Sequence, residues 1–176
     1  MDKIIAIGAS TGGTEAIYSI LRVLPPTLPG IVIVQHIPPI FSKMFADRLD
    51  NQTAWQVREA VTGDYVDQGT VLVAPGDRHL KIKRVGQRYQ AECLEAEKVS
   101  GHCPSVDVLF QSVATEAGSN ARGLLAIRRK GGRTIGQDEA SSIVYGMPKV
   151  AFDIGGVEIQ AALSNIPQVL LNLLRE

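Results

Sequence analysis

The sequence lacks an excess of charge of either sign, because its 176 residues include 18 basic and 18 acidic side chains. A net charge of zero argues against nucleic acid or an anionic membrane surface as the main partner, since both attract basic proteins. No apolar run reaches the roughly 18 residues that a membrane-spanning helix needs. The first apolar segment is too short for a signal peptide. We therefore expect a cytoplasmic protein with no nucleic-acid partner and no membrane insertion.

Cysteine is also scarce, since the chain contains only Cys93 and Cys103. Two cysteines cannot form a disulfide framework, and the simplest interpretation is a pair of reduced thiols in the cytoplasm. A metal site built on His102 and Cys103 would need two more ligands, and no residue has a suitable spacing to supply them. The sequence therefore predicts no metal site.

The pattern of apolar residues predicts one α/β domain over residues 1–176. Apolar strands are expected at residues 3–7, 31–34 and 71–74, with another short strand starting at 134. Helical periodicity is found at residues 14–24, 41–49, 106–116, 123–129 and 167–174. Residues 80–83 and 88–93 alternate around a turn and predict a β-hairpin. The expected fold has three layers, with a mainly parallel, doubly wound sheet and an antiparallel hairpin at its edge.

Ser10 lies on a small-residue turn between the first strand and the first helix. Ligands of open α/β sheets bind at the carboxyl ends of the strands, where this turn is expected. The amides of Thr11, Gly12 and Gly13 begin the helix without intrahelical acceptors and can stabilise an oxyanion. The local pattern leaves three interpretations open: a nucleophile, a helix N-cap and a phosphate-binding loop.

His36 follows the second strand at the same expected edge of the sheet. If the two strands are neighbours, Ser10 and His36 project from adjacent strand ends, as a nucleophile and its general base must. A loop histidine without any role is the alternative, since only the geometry of a site assigns a role.

The pair belongs to a series of motifs that resembles the CheB-type chemotaxis methylesterases. The motifs are IGASTGGTEA at 7–16, VQHIP at 34–38, APGDRHL at 74–80, PSVDVLF at 104–110, GQDEASS at 136–142 and YGMPK at 145–149. They cover nearly the whole chain in the family's order, so a chance match is very improbable. Many members also carry an N-terminal receiver domain, and the first strand here begins at Lys3, so we expect no receiver domain in this chain.

The resemblance implies a serine hydrolase of two-component signalling that hydrolyses glutamate methyl esters on chemoreceptors and can deamidate some receptor glutamines. It implies Ser10 as the nucleophile and His36 as the general base. The partner would be the cytoplasmic helices of a methyl-accepting chemoreceptor. No metal and no organic cofactor is expected, because backbone donors hold the oxyanion.

One element of the family's pattern has no counterpart in the sequence. The third catalytic residue of the family is an aspartate in a loop after an apolar strand, which should lie between Asn120 and Gly123. Roughly a dozen residues are missing at this point. Asp77 and Asp138, each after a predicted strand, are the weaker candidates for the acid.

Three explanations are open. The polypeptide contains residues beyond these 176, a deletion removed the strand, or the lineage lost the acid and its activity. The first is favoured, because loss of a buried strand leaves neighbouring amides and carbonyls unpaired, at about 1–3 kcal/mol each. The functions that remain as alternatives are a catalytically inactive receptor-binding module and, last, a phosphate- or nucleotide-binding protein.

Overall fold

The computed structural model describes residues 3–116 and 123–175. Its strands are β1 (Ile5–Ala9), β2 (Ile31–Gln35), β3 (Gln56–Glu59), β4 (Thr70–Val73), β5 (His79–Val85), β6 (Arg88–Leu94), β7 (Ile135–Gln137) and β8 (Ile159–Ala161). Its α-helices are α1 (Gly13–Leu21), α2 (Phe41–Gln52), α3 (Val106–Glu116), α4 (Gly123–Arg129), α5 (Met147–Asp153) and α6 (Ile166–Arg175). In this part of the chain no helix has the length and apolar character that crossing a membrane requires.

A four-stranded parallel sheet forms the centre of the fold, in the order β1-β2-β4-β3. Every residue of β2 and β4 is buried, which explains why these strands are continuous apolar runs. In the pairing of β1 with β2, Ile5 lies opposite Ile31 and Ala9 lies opposite Gln35. The two strands therefore end side by side at one edge of the sheet.

Two apolar clusters cover the two faces of this sheet, because side chains alternate along a strand. Ile31 and Ile33 of β2 face one cluster, which also contains residues of α1 and α2 and packs against α6. Val32 and Val34 face the other, which contains residues of the β5–β6 hairpin and α3 and packs against α4. The predicted three-layer α/β fold with a mainly parallel sheet is thus confirmed.

The predicted hairpin is formed by β5 and β6, whose seven residue pairs run from His79 opposite Leu94 to Val85 opposite Arg88. Among the described residues it makes a separate two-stranded sheet and does not extend the parallel one. Its buried residues Leu80, Ile82 and Ala91 pack with α3 in the second apolar cluster. The hairpin thus packs on one face of the parallel sheet through its apolar side chains. Within the described residues it is not hydrogen-bonded to the edge of that sheet.

Several short elements have no prediction from the sequence. Strand β3 lies at the edge of the sheet, and Val57 is its one buried residue. Its sequence therefore shows no clear alternation of apolar and polar residues. In α5 no residue is buried, so no apolar face marks this helix in the sequence. Strand β8 has three residues, too few for a periodic pattern.

The parallel pairing is interrupted beside β1. In the described ranges β1 pairs only with β2, and β7 pairs only with β8. Helix α3 packs against β1 and against α4. Arg128 of α4 in turn donates to the carbonyl oxygens of Gly155 and Val157, which lie between α5 and β8. The strand predicted to be missing between Asn120 and Gly123 falls on residues 117–122, outside the described residues.

Candidate active site

Ser10 and His36 meet at the carboxyl edge of the parallel sheet. Each directly follows a strand, β1 or β2, and the paired residues before them, Ala9 and Gln35, lie opposite one another. The His36 amide donates a 3.1 Å hydrogen bond to the Ala9 carbonyl oxygen, which continues the ladder by one step. The distance from His36 Nδ1 to Ser10 Oγ is 3.3 Å. The serine hydroxyl is thus within reach of an imidazole nitrogen that can accept its proton.

The turn after Ser10 depends on two glycines. Gly12, the residue before α1, has a φ of 78°, in the left-handed region that glycine adopts without a steric penalty. A Cβ on Gly12 would lie 2.6 Å from Cδ1 of Ile143. A Cβ on Gly13 would collide with the side chain of Gln35. Glycine at both positions therefore allows the tight approach of the turn to its neighbours.

The amides at the start of α1 differ in their availability. The Gly13 amide donates a 2.8 Å hydrogen bond to the Ser10 carbonyl oxygen, so it holds the turn together. Within the described residues no acceptor is recorded for the amides of Thr11 and Gly12. These two donors lie at the positive end of the helix, where a negative charge is favoured. They are the amides of this turn that can hold an oxyanion.

Gln35 is a buried residue of the site that the sequence reasoning did not single out, although it belongs to the VQHIP motif. It is 4% exposed. Its Nε2 atom donates to the carbonyl oxygens of Ser10, at 2.8 Å, and of His36, at 3.2 Å. One side-chain amide thus joins the backbone of both residues. Its position, as a polar residue at the end of an otherwise apolar buried strand, is the signal by which the sequence could have identified it.

Within the described part of the chain, the His36 ring forms a hydrogen bond through one of its nitrogens. Nδ1 is directed to Ser10, whereas Nε2 is buried and has no partner among the described residues. If Nδ1 accepts the serine proton, Nε2 carries the other ring proton and needs an acceptor. Burial lowers the pKa of the His36 imidazole, the charge of His102 lowers it further, and Asp107 raises it. The unpartnered nitrogen is where a third, acidic residue would act.

Neither of the two alternative acids hydrogen-bonds His36. Asp138 accepts from the amide of Ser141, at 2.9 Å, and from its hydroxyl, at 2.5 Å, so it holds the turn after β7. Asp77 lines the same cleft as His36, but His36 Nε2 has no hydrogen bond within the described part of the chain. Neither of these two weaker candidates for the acid therefore makes the contact with His36 that an orienting residue needs.

A cleft of about 570 Å³ opens beside His36. Its lining includes Pro38, Asp77, Lys98 and His102. The ring of His102 stacks on the His36 ring, with centroids 3.7 Å apart. The sequence predicted no catalytic role for His102, because stacking between distant segments leaves no local pattern.

The arrangement is that of an α/β protein with a serine and a histidine paired at the carboxyl edge of a parallel sheet. A serine on a strand–turn–helix, next to free backbone amides and a histidine, defines the class of α/β serine hydrolases. The chain belongs to the CheB methylesterase family, because the family model of that description matches residues 5–170.

Two curated relatives agree with this assignment. The chain is 50% identical to a protein-glutamate methylesterase/protein-glutamine glutaminase of Syntrophomonas wolfei, over 98% of this chain and 54% of that protein. It is 47% identical to a relative of the same description from Syntrophotalea carbinolica, over 99% of this chain and 53% of that protein. The chain thus spans about half the length of the curated relatives it matches.

A solved structure has the same fold. The crystal structure of the Thermotoga maritima CheB methylesterase catalytic domain superposes with a TM-score of 0.91 and 32% sequence identity, covering 98% of this chain and 99% of that one. The alignment with the Syntrophomonas wolfei protein extends over 186 positions, more than the 176 residues of this chain. That relative therefore has residues for which this chain has no counterpart.

Proposed function

We propose that this chain, acting as one catalytic domain, hydrolyses methyl esters of glutamate side chains in chemoreceptors. Ser10 is the nucleophile and His36 is the general base. The observation that carries the proposal is the 3.3 Å approach of His36 Nδ1 to Ser10 Oγ at the ends of two adjacent parallel strands. The names of the relatives, protein-glutamate methylesterase, supply the substrate class.

The first half of the reaction transfers the acyl group to the serine. Ser10 Oγ loses its proton to His36 Nδ1 and forms a bond to the ester carbonyl carbon. The carbonyl oxygen becomes an oxyanion, which the amides of Thr11 and Gly12 hold at the end of α1. The bond from carbon to the methoxy oxygen then breaks, and that oxygen takes the proton from His36 and leaves as methanol.

Water completes the cycle. His36 removes a proton from a water molecule, whose oxygen attacks the acyl carbon, and the Ser10 Oγ bond breaks as Oγ regains a proton. The product is a glutamate carboxyl group. A receptor glutamine can follow the same path with ammonia as the leaving group, which is the deamidase activity that the names of the relatives include.

The partner in this proposal is the cytoplasmic helical region of a methyl-accepting chemoreceptor. The cleft of about 570 Å³ that borders His36 is large enough for a glutamyl side chain. A cytoplasmic location follows from that partner, and the two free cysteines agree with it. The chemistry assigned to the site has no step that needs a metal or an organic cofactor.

A second candidate is an inactive module that binds the receptor without turnover. It is favoured by one observation, the buried Nε2 of His36 that has no acceptor among the described residues. A serine–histidine pair without an orienting acid typically loses about 10⁴-fold in turnover. A third candidate, phosphate binding by the turn after Ser10, ranks last because no acid suited to a ribose follows the second strand.

Methanol release from a methylated chemoreceptor fragment tests the proposal. The variants are Ser10→Ala and His36→Gln, with Gln111→Ala on the exposed side of α3 as the matched surface control. Loss of methanol release in the two site variants and retention in the control supports the esterase. Wild-type release in either site variant would contradict the mechanism. Receptor binding without methanol release by the unaltered chain would support the inactive module.

A further inference from the structure

The two imidazole rings at the site lie almost parallel. The centroids of His36 and His102 are 3.7 Å apart, with an angle of 8° between the ring planes. We propose that His102 is a positioning residue, which holds the His36 ring in line with Ser10 by covering one of its faces. The proposal rests on the role of His36 as the general base.

His102 is placed by a tight turn between β6 and α3. Val99 and His102 exchange two backbone hydrogen bonds, of 3.0 and 3.1 Å. The residues between them, Ser100 and Gly101, have φ angles of 54° and 79°, as the primed hairpin turns require. The Ser100 hydroxyl donates a 3.0 Å hydrogen bond to Asp107 in the first turn of α3. The turn that carries His102 is therefore fixed to a helix.

The third histidine, His79, holds the segment from 97 to 105, which contains His102, through hydrogen bonds to its backbone. His79 is 2% exposed, and both of its ring nitrogens contact backbone atoms. Its Nδ1 accepts a 3.1 Å hydrogen bond from the Ser105 amide, so its Nε2 carries the proton and donates to the Glu97 carbonyl oxygen at 2.9 Å. One buried ring thus ties together the two ends of the segment from 97 to 105, which contains His102.

The His36 ring needs such a restraint. Its only hydrogen bond recorded among the described residues is the 3.3 Å contact to Ser10, and Nε2 has no partner. A ring with one long hydrogen bond can rotate about its Cβ–Cγ bond, whereas a ring packed face to face cannot do so freely. The stack with His102 therefore supplies part of the orientation that an acid supplies in a complete triad.

The stack also affects the protonation of His36. The ring of His102 buries one face of His36, and a proton on His102 repels a proton on His36, so both effects favour the neutral base. Asp107 acts in the opposite direction. The other charged groups of the shared cleft are Asp77, Glu97 and Lys98. A neutral imidazole is the form that accepts the serine proton.

Two substitutions separate the contributions of His102. His102→Ala removes both the stack and the charge, whereas His102→Phe keeps an aromatic ring and removes the charge. The chain has three histidines, so ¹H–¹⁵N NMR can follow the tautomer and titration of His36 in each variant. The hydrolysis of p-nitrophenyl acetate is measured in the same variants, with Gln111→Ala as the surface control and Ser10→Ala as the blank.

We expect His102→Ala to lower kcat about three- to tenfold, the range that one aromatic pair supplies, with little change in KM. The pKa of His36 should rise in His102→Ala, because burial and the neighbouring charge are both reduced. His102→Phe should keep most of kcat and should show a smaller rise in the pKa of His36, because the ring stays covered.

Three results would overturn the proposal. They are an unchanged His36 titration and kcat in His102→Ala, a loss in His102→Phe as large as in His102→Ala, and a change confined to KM. The last result would make His102 a substrate contact. If Ser10→Ala hydrolyses the ester as fast as the unaltered chain, the proposed function fails, and the NMR titration of His36 still decides whether His102 positions its ring.

Discussion

The side-chain amide of Gln35 donates a 2.8 Å hydrogen bond to the carbonyl oxygen of Ser10. The same nitrogen donates to the carbonyl oxygen of His36 at 3.2 Å, so one buried group connects the residues that follow β1 and β2. The distance between the serine hydroxyl and the imidazole therefore depends on a residue that cannot take part in the chemistry itself. This relationship gives the first prediction.

Replacing Gln35 by Met should lower both stability and turnover. Methionine has a similar volume but no N–H donor, so the partly buried His36 carbonyl oxygen loses a donor, at a cost of up to about 1–3 kcal/mol. The loss of Gln35 Oε1, which is buried without a partner among the described residues, offsets part of this cost. A shift of about 1 Å in either strand end can reduce turnover by about a hundredfold. Urea unfolding and ester hydrolysis measure the two effects.

The control for this prediction is Gln111→Met, which makes the same chemical change on an exposed side chain of α3. Surface changes of this kind alter the free energy of unfolding by about 0.5 kcal/mol or less. Equal stability and equal turnover in the two Met variants would show that Gln35 does not hold the site together.

Replacing Gly12 by Ala should damage the site more than its backbone angle alone would suggest. Gly131 is the matched control, because its φ of 79° is close to the 78° of Gly12 and a Cβ there would meet no atom of the described residues within 4 Å. Gly131→Ala should cost about 1–2 kcal/mol of the free energy of unfolding, the penalty of a left-handed residue. Gly12→Ala adds a collision with Ile143 and should also reduce ester hydrolysis.

The double variant Gly12→Ala/Ile143→Ala separates the two causes. It removes the collision and leaves the backbone angle, so it should recover part of the stability that Gly12→Ala loses. Equal free energies of unfolding for Gly12→Ala and Gly131→Ala would instead show that the contact with Ile143 imposes no constraint on the turn.

The dependence of activity on pH should reflect the lowered pKa of His36. Burial is the largest cause and the charge of His102 is the second, while Asp107 opposes both. Because the neutral ring is the base, kcat/KM should rise as pH increases through this pKa, and the midpoint should lie below the ordinary histidine value of 6.5. A midpoint above 6.5 in the pH profile of ester hydrolysis would contradict the burial of the ring.

The lowered pKa of His36 also makes the free energy of unfolding depend on pH, in the range between the folded and the unfolded pKa. Between the folded pKa of His36 and the unfolded value near 6.5, the unfolded chain binds more protons than the folded chain. The contribution of His36 to the free energy of unfolding therefore rises with pH in this window and is constant above and below it. His36→Gln should remove this component from urea unfolding measured at a series of pH values.

The intact mass of the purified protein tests whether the acid is absent. The 176 residues correspond to 18.9 kDa. We expect a mass higher by more than about 1 kDa, which is what a strand with its loop of roughly a dozen residues adds, and peptide mapping should place it between Asn120 and Gly123. A mass equal to 18.9 kDa would favour the inactive receptor-binding module.

Much of the fold was predictable from the sequence, because its determinants are local. The strands buried on both faces, β2 and β4, are apolar runs of the length that a parallel sheet needs. Parallel strands in register end at one edge, so the positions of Ser10 and His36 directly after their strands predicted an approach on the condition that the two strands are neighbours. The structure supplies that condition, because β1 pairs with β2. The glycines after Ser10 indicated a tight turn for the same local reason.

The contacts around the pair were decided by the tertiary structure. The hydrogen bonds of Gln35, the stack of His102 on His36 and the bonds of His79 to residues 97 and 105 join segments far apart in the chain. Asp138 has the same sequence context as a catalytic acid, yet it holds its own turn. Residue type and periodicity specify which face of an element is buried, whereas a contact between side chains depends on how the layers pack.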